Sequence, residues 1–153
     1  MPINTRERQY RQLLDMPTTT ASSNKRFETS RYIEGFATTF DTPYVLWEDD
    51  SGTKYYEVVD RHALDQADMS DVIMQYDHQG KVLARISNKT LLVEPQDKGL
   101  FIAGDLSKSR AAEDMHLEIE NGLVTKMSWG FRIAEYSYDR TTRTFKITKV
   151  SKV

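Results

Sequence analysis

The sequence predicts a β-rich α+β domain, in which mostly antiparallel strands form a closed or nearly closed barrel with flanking helices. Two observations carry this prediction. The chain of 153 residues contains many short apolar or aromatic stretches separated by turn-forming residues, which is typical of strands. Helical spacing of apolar residues is rare, so the sequence predicts about seven strands and only two helices. So many strands leave many edges to be covered, and closure into a barrel covers them.

The predicted elements follow one another along the chain. Strands are predicted over residues 31–40, 55–59, 71–78, 81–86, 89–106 (a hairpin with its turn near 97–99), 124–139 and 142–153. A short helix is predicted over 61–68, where Asp60 can cap its N-terminus. The clearer helix covers 107–122, because apolar residues recur every three or four positions and Gly122 stands where a helix can end. These apolar residues are Ala112, Met115, Ile119 and Leu123.

The two ends of the chain differ from the middle. We expect residues 1–30 to be a flexible polar N-terminal arm and residues 31–153 to be the folded domain. The first 16 residues have the composition of a short helix, which Pro17 and the small polar residues after it interrupt. The last strand runs to Val153 without a turn or a cap, so we expect the domain to be truncated at its C-terminus.

Composition excludes several classes of function. The net charge is −2 and the pI is about 5.9, which argues against a nucleic-acid-binding protein. The absence of cysteine excludes thiol catalysis and disulfides. With three histidines and no cysteine we expect no structural metal and no cofactor. No apolar run has the length of a membrane span, so we expect a soluble intracellular protein that does not bind membranes.

The stretch TKMSWGFRI (125–133) carries the main chemical signal. In a strand it places Ser128 and Gly130 on one face and larger apolar residues on the other. Those apolar residues are Met127, Trp129 and Phe131. Gly130 leaves room beside Ser128, so Ser128 is either a small packing residue or a nucleophile that a peptide backbone can approach.

A serine nucleophile needs a base, and the chain offers three imidazoles. His78 lies where a predicted strand meets a turn, and such junctions often carry functional side chains. His62 and His116 are expected to be solvated, the first after a helix cap and the second on a charged helix face. Arg110 opens the predicted helix, where a cation is disfavoured, which makes it a candidate for a role beyond helix stability.

Together these segments resemble the phage prohead (procapsid) maturation serine proteases, a family related to the herpesvirus assemblin proteases. The resemblance rests on ordered blocks within residues 31–152, including IEGFATTFDTP, YEVVDRHALDQA, VIMQYDHQGKVLAR, KTLLVEPQDKGLFIAGDL and SRAAEDMHLEIENGLVTKMSWGF. The last block ends in the methionine-serine-aromatic-glycine-phenylalanine signature. Two blocks depart from the family: RHAL replaces the usual proline-glycine-alanine-phenylalanine, and Tyr76-Asp77 precede His78 where asparagine is usual.

The resemblance implies a serine endopeptidase of herpesvirus-protease-like fold, with Ser128 as nucleophile and His78 as general base. It implies a third catalytic residue, which we expect beyond the end of the chain, and oxyanion or substrate contacts near Arg110 and Gly130. The implied partners are the major capsid protein, a scaffold protein and the protease itself, through autocleavage and a possible homodimer. The implied location is the host cytoplasm during assembly and the interior of the procapsid.

Two other functions fit the same residues. The first is a catalytically inactive capsid-assembly or scaffolding module that keeps the protease fold, which a missing third catalytic residue would favour. The second is a barrel that binds a small ligand, in which Ser128 and His78 would lie far apart. Covalent reactivity of Ser128 separates the protease from the module, and the distance between the two side chains separates it from the ligand barrel.

Overall fold

The structure is a computed structural model that describes residues 3–12 and 18–153. These residues form ten strands and one α-helix. In chain order they are β1 (Gln9–Gln12), β2 (Tyr32–Thr39), β3 (Tyr44–Glu48), β4 (Lys54–Val59), β5 (Ile73–Tyr76), β6 (Gln79–Arg85), β7 (Leu91–Pro95), β8 (Gly99–Asp105), α1 (Arg110–Glu120), β9 (Ser128–Asp139) and β10 (Thr144–Lys152).

The chain divides into two compact units, each built from several segments. The first contains the described part of Met1–Tyr10 together with Thr39–Asp68 and Gly130–Val153. In it β10 runs antiparallel to β9 and parallel to β4, and β3 pairs antiparallel with β4. Alternate residues of these strands point inward and form an apolar core. Its buried side chains include Phe40, Val59, Phe131, Ile133, Phe145, Ile147 and Val150.

The second unit contains the described part of Arg11–Thr38 together with Met69–Trp129. It holds a three-stranded sheet of order β2-β8-β7, the β5–β6 hairpin and α1. Strand β8 is buried along its whole length, so it forms the centre of this unit. The surrounding core includes Tyr32, Ile33, Leu91, Leu106, Ala112 and Trp129.

Helix α1 lies within the predicted range of 107–122, and it covers Arg110–Glu120. The Ser109 hydroxyl accepts a hydrogen bond from the Ala112 amide at 3.1 Å, which satisfies one of the free amides of the first turn. Gly122 has φ +75°, a left-handed conformation that glycine adopts without steric cost. The helix buries Ala112, Met115 and His116 and packs against β6.

Several predicted features are wrong. The described residues form three open sheets and not a closed barrel, because β1 and β3 lie at the two edges of the five-stranded sheet β1-β9-β10-β4-β3. Within the same residues there is one α-helix: residues 61–66 form turns, and Asp60 accepts a hydrogen bond from the His62 amide at 2.8 Å without starting a helix. The β-rich class and the predicted hairpin at β7–β8 are confirmed.

The N-terminal prediction is wrong in its first part. Residues 9–12 form a strand where a short helix was predicted, and residues 1–2 and 13–17 lie outside the described residues. Thr19 pairs with Glu34 in an isolated antiparallel bridge, so the end of the predicted arm contacts β2. Leu123 is 78% exposed and does not belong to the apolar face of α1.

Candidate functional site

Ser128 is the first residue of β9, and its neighbours along the strand fix its direction. The burial of β9 alternates from Ser128 onward, with Trp129, Phe131 and Ile133 buried. Because strand side chains alternate between faces, the buried residues hold the Ser128 hydroxyl on the opposite face. Ser128 itself is half-buried. The predicted alternation of the TKMSWGFRI stretch is therefore confirmed from Ser128 to Ile133, whereas residues 125–127 precede the strand.

His78 is held by a tight turn. Asp77 and His78 are the two loop residues of the β5–β6 hairpin, and Tyr76 pairs with Gln79 on either side of them. Their φ angles are +48° and +59°, as a type I′ hairpin turn requires. Asparagine, aspartate and glycine favour these positions, and a histidine there costs about 1–2 kcal/mol. The hairpin accepts this strain at the residue that carries the imidazole.

An ion pair links the two chain segments at the open end of the same hairpin. Arg85 forms an ion pair with Asp71, whose carboxylate also accepts a hydrogen bond from the Ser87 amide at 3.0 Å. The hydrogen bond from Arg85 is the main reason that the pKa of Asp71 falls to about 2. The two contacts tie β6 and the residues after it to the residue that precedes β5, so they oppose slippage of the turn.

The structure brings Ser128 and His78 together although 50 residues separate them. The distance from His78 Nε2 to Ser128 Oγ is 2.8 Å, which is within hydrogen-bonding range. Ser128 Oγ also donates a hydrogen bond to the Arg11 carbonyl oxygen at 2.7 Å. A hydroxyl and an imidazole at this distance can act as a nucleophile and a general base, since the imidazole can take the hydroxyl proton.

The two residues predicted to assist the pair lie in different environments. Gly130 is the next residue of β9 on the Ser128 face, and a Cβ atom built on it would lie 2.8 Å from a ring atom of Tyr10. The predicted room beside Gly130 exists, and the Tyr10 side chain fills it. Arg110 is the exposed first residue of α1. Its predicted role near the oxyanion stays a prediction, as does that of Gly130.

The other two histidines are not part of the site as described. His62 is exposed and its Nδ1 lies 3.0 Å from Asp65 Oδ2, so the prediction that it is solvated is confirmed. The same prediction for His116 is wrong, because His116 is buried on the inner face of α1. Burial lowers the pKa of His116 below its usual value of 6.5. Its Nδ1 has no hydrogen-bond partner within the described part of the chain.

The sequence did not reveal that β1 contacts the site. The contact uses the main-chain carbonyl of Arg11, and every residue has such a group, so no residue type identifies it. Residues 3–12 and 18–153 contain no cluster of three or more His, Asp or Glu side chains that could hold a metal ion. They also contain no helix with the length and apolar character needed to cross a bilayer.

One comparison with known proteins identifies the family of the chain. A family model described as caudovirus prohead serine protease matches residues 18–153. No curated protein matches the chain, and no solved structure matches it. The relation to herpesvirus proteases that the sequence predicts therefore stays a prediction. The matched region contains both Ser128 and His78.

Proposed function

The chain belongs to the caudovirus prohead serine protease family, and from this premise we propose that it is a serine endopeptidase of capsid maturation with Ser128 as nucleophile and His78 as general base. The observation that supports these roles is the distance of 2.8 Å between Ser128 Oγ and His78 Nε2. The chain has three histidines, and the one that contacts Ser128 lies in a strained turn. Strained backbone is common at functional sites, so the contact supports a joint role of the two residues.

The proposed reaction follows from the pair. Ser128 Oγ attacks the carbonyl carbon of the scissile bond while His78 Nε2 takes the hydroxyl proton, which gives a tetrahedral oxyanion. Collapse of that intermediate breaks the C–N bond, and the imidazolium returns the proton to the leaving amine. Water then attacks the acyl-enzyme with His78 again as base, which releases the acid product and restores the hydroxyl.

The fold positions Ser128 and His78 as the proposed reaction requires. A nucleophile must be held at a fixed distance from the substrate, and the buried side chains of β9 hold Ser128. A general base must reach the hydroxyl with one ring nitrogen, and the β5–β6 turn presents the imidazole to it. Oxyanion donors complete such a site in serine hydrolases. We propose that residues near Arg110 and Gly130 supply them.

The proposed substrates are proteins of the assembling capsid. The family acts in maturation of the phage prohead, inside the host cell. We propose that this chain cleaves a scaffold protein or the scaffold-like segment of the major capsid protein, and that it cleaves copies of itself. We also propose that residues 1–30 act as a polar arm. The same proposal includes a homodimer and action inside the procapsid.

The test is cleavage of the capsid protein encoded with this protease. The two proteins are co-expressed, and the intact mass of the capsid protein is measured with the wild type, Ser128→Ala and Ser137→Ala. Ser137 is the matched control because it is the other serine of β9 and is exposed. We expect a shortened capsid protein with the wild type and Ser137→Ala and a full-length one with Ser128→Ala.

Two results would contradict the proposal. Equal cleavage with Ser128→Ala would place the nucleophile elsewhere. Assembled capsids with full-length capsid protein in all three cases would favour an inactive assembly module with the protease fold.

A further inference from the structure

Strand β1 lies at the edge of the five-stranded sheet, next to the strand that carries the nucleophile. Contacts made by β1 and by Arg8, the residue before it, hold it there. The Arg11 carbonyl accepts the Ser128 hydroxyl at 2.7 Å, the Tyr10 ring packs against Gly130, and Arg8 Nη1 donates to the Gly130 carbonyl at 3.4 Å. A peptide added to a sheet edge is a common way for proteins to bind extended chains.

From these contacts we infer that β1 is a resident peptide in the substrate position of the protease and that it holds the catalytic pair in a resting state. The inference rests on the proposed function, since it assigns a substrate position to the same site. It also gives the substrate a form: an extended chain beside β9, with a large side chain over Gly130 and a main-chain carbonyl at Ser128.

The resting state follows from the position of the hydroxyl hydrogen of Ser128. A serine hydroxyl has one hydrogen, and here it points to the Arg11 carbonyl oxygen. The contact with His78 is then a hydrogen bond only if Nε2 carries a proton and donates it. An Nε2 in that state cannot accept the hydroxyl proton, which is the first step of the reaction. Release of the Arg11 carbonyl lets the hydroxyl turn toward Nε2.

The contact also gives the carbonyl oxygen a different role from the one it has during attack. A reacting serine approaches the carbonyl carbon, at about 3–3.5 Å, and the carbonyl oxygen faces donors that stabilise it. In β1 the oxygen of Arg11 faces the hydroxyl itself and accepts its proton. Arg11 therefore holds the hydroxyl proton away from His78 Nε2, which is what blocks the nucleophile.

Gly130 explains why β1 fits. A Cβ atom at this position would lie 2.8 Å and 3.1 Å from two Tyr10 ring atoms, closer than side chains pack. Only a glycine allows the ring to lie against the strand. Tyr10 is 48% exposed, so its contact with β9 can be broken without exposing a core.

The experiment measures how fast a fluorophosphonate probe labels Ser128. The probe forms an Oγ–P bond and releases fluoride, so it reports the free nucleophile without a protein substrate. The full-length wild type is compared with Tyr10→Ala and with Tyr136→Ala, a control tyrosine of β9 that is 40% exposed. Ser128→Ala shows which adduct is specific.

We expect Tyr10→Ala to be labelled at least about fivefold faster than the wild type, because loss of the ring contact favours release of β1. Tyr136→Ala should keep the wild-type rate. A peptide of residues 3–12 added in trans should slow labelling of Tyr10→Ala, and the same peptide with its tyrosine replaced by alanine should not.

Three results would overturn the inference. Equal labelling of the wild type and Tyr10→Ala would show that β1 does not block Ser128, with the proposed nucleophile intact. Loss of residues 1–11 from the wild type but not from Ser128→Ala would make Arg11 a cleavage site and not a block. Absence of a Ser128 adduct in every variant would contradict the proposed nucleophile itself, and with it this inference.

Discussion

Strand β9 and the β5–β6 hairpin hold the two members of the proposed catalytic pair in opposite ways. Ser128 begins a long regular strand whose alternate side chains are buried, so packing fixes the hydroxyl. His78 stands in a two-residue turn with a left-handed backbone, so the conformation of the turn sets the direction of the imidazole. The difference teaches that the proposed nucleophile depends on the core, whereas the proposed general base depends on a turn that would be more stable without a histidine in it.

The largest effect should come from His78→Gly. Glycine removes the imidazole, and kcat should fall by about 10⁴-fold or more, as when a serine protease loses one member of its catalytic unit. Glycine also relieves the strain of the left-handed backbone. The free energy of unfolding of His78→Gly should therefore be about 1 kcal/mol higher than that of His78→Ala. Chemical denaturation of both variants, beside cleavage assays, tests this. Equal stability of the two would show that the turn stores no strain.

Trp129→Ala should affect the other support. Trp129 follows Ser128 and is buried, so its truncation should lower the free energy of unfolding by about 3–5 kcal/mol. The control is Trp47→Ala, because Trp47 is half-buried and stacks on Tyr55 at 3.8 Å between ring centroids. We expect about 1–2 kcal/mol for the control. Similar losses in the two variants would mean that β9 is not anchored through its buried face.

Ser109→Ala should have a smaller effect, on the helix behind the hairpin. The Ser109 side chain caps α1, and α1 packs against β6. Loss of the cap should lower the free energy of unfolding by about 1 kcal/mol. Ser109→Asp keeps an acceptor at the cap and should retain wild-type stability. Equal losses in thermal unfolding of both variants would show that the cap hydrogen bond is not what matters here.

His116 should give the smallest effect, a change in the pH dependence of stability. Burial lowers its folded-state pKa below 6.5, so the unfolded chain takes up the proton first as pH falls. Its contribution is present above about pH 6.5 and is lost below that value. The plot of unfolding free energy against pH should be flatter between pH 7 and pH 5 in His116→Gln than in the wild type. An unchanged slope in His116→Gln would show that His116 does not titrate on unfolding.

The strand that carries Ser128 could be predicted from the sequence, because its pattern is local. The alternation of small and large residues over 125–133 has a period of two, and burial follows it from Ser128 to Ile133. The position of His78 at a strand end was also predictable. Its left-handed backbone was not, because Asp-His lacks the glycine that usually marks a type I′ turn.

The remaining errors have non-local causes. Residues 1–16 are rich in helix-forming residues, yet β1 pairs with β9, so tertiary pairing outweighs local propensity. His116 was assigned to the charged face of α1, although it stands four positions after the buried Ala112 and one after the buried Met115. Helical spacing alone would have placed it inward. The barrel prediction rests on the number of strand edges, whereas the described strands divide among three separate sheets and leave β1 and β3 at the edges of the largest one.

The most direct measurement is a double-mutant cycle on cleavage of the capsid protein, with purified wild type, Ser128→Ala, His78→Ala and the double variant. Residues that act as one catalytic unit give non-additive losses. We predict that each single variant loses nearly as much kcat as the double variant. Losses that multiply, so that the double variant falls by the product of the two single effects, would contradict the claim that Ser128 and His78 act together.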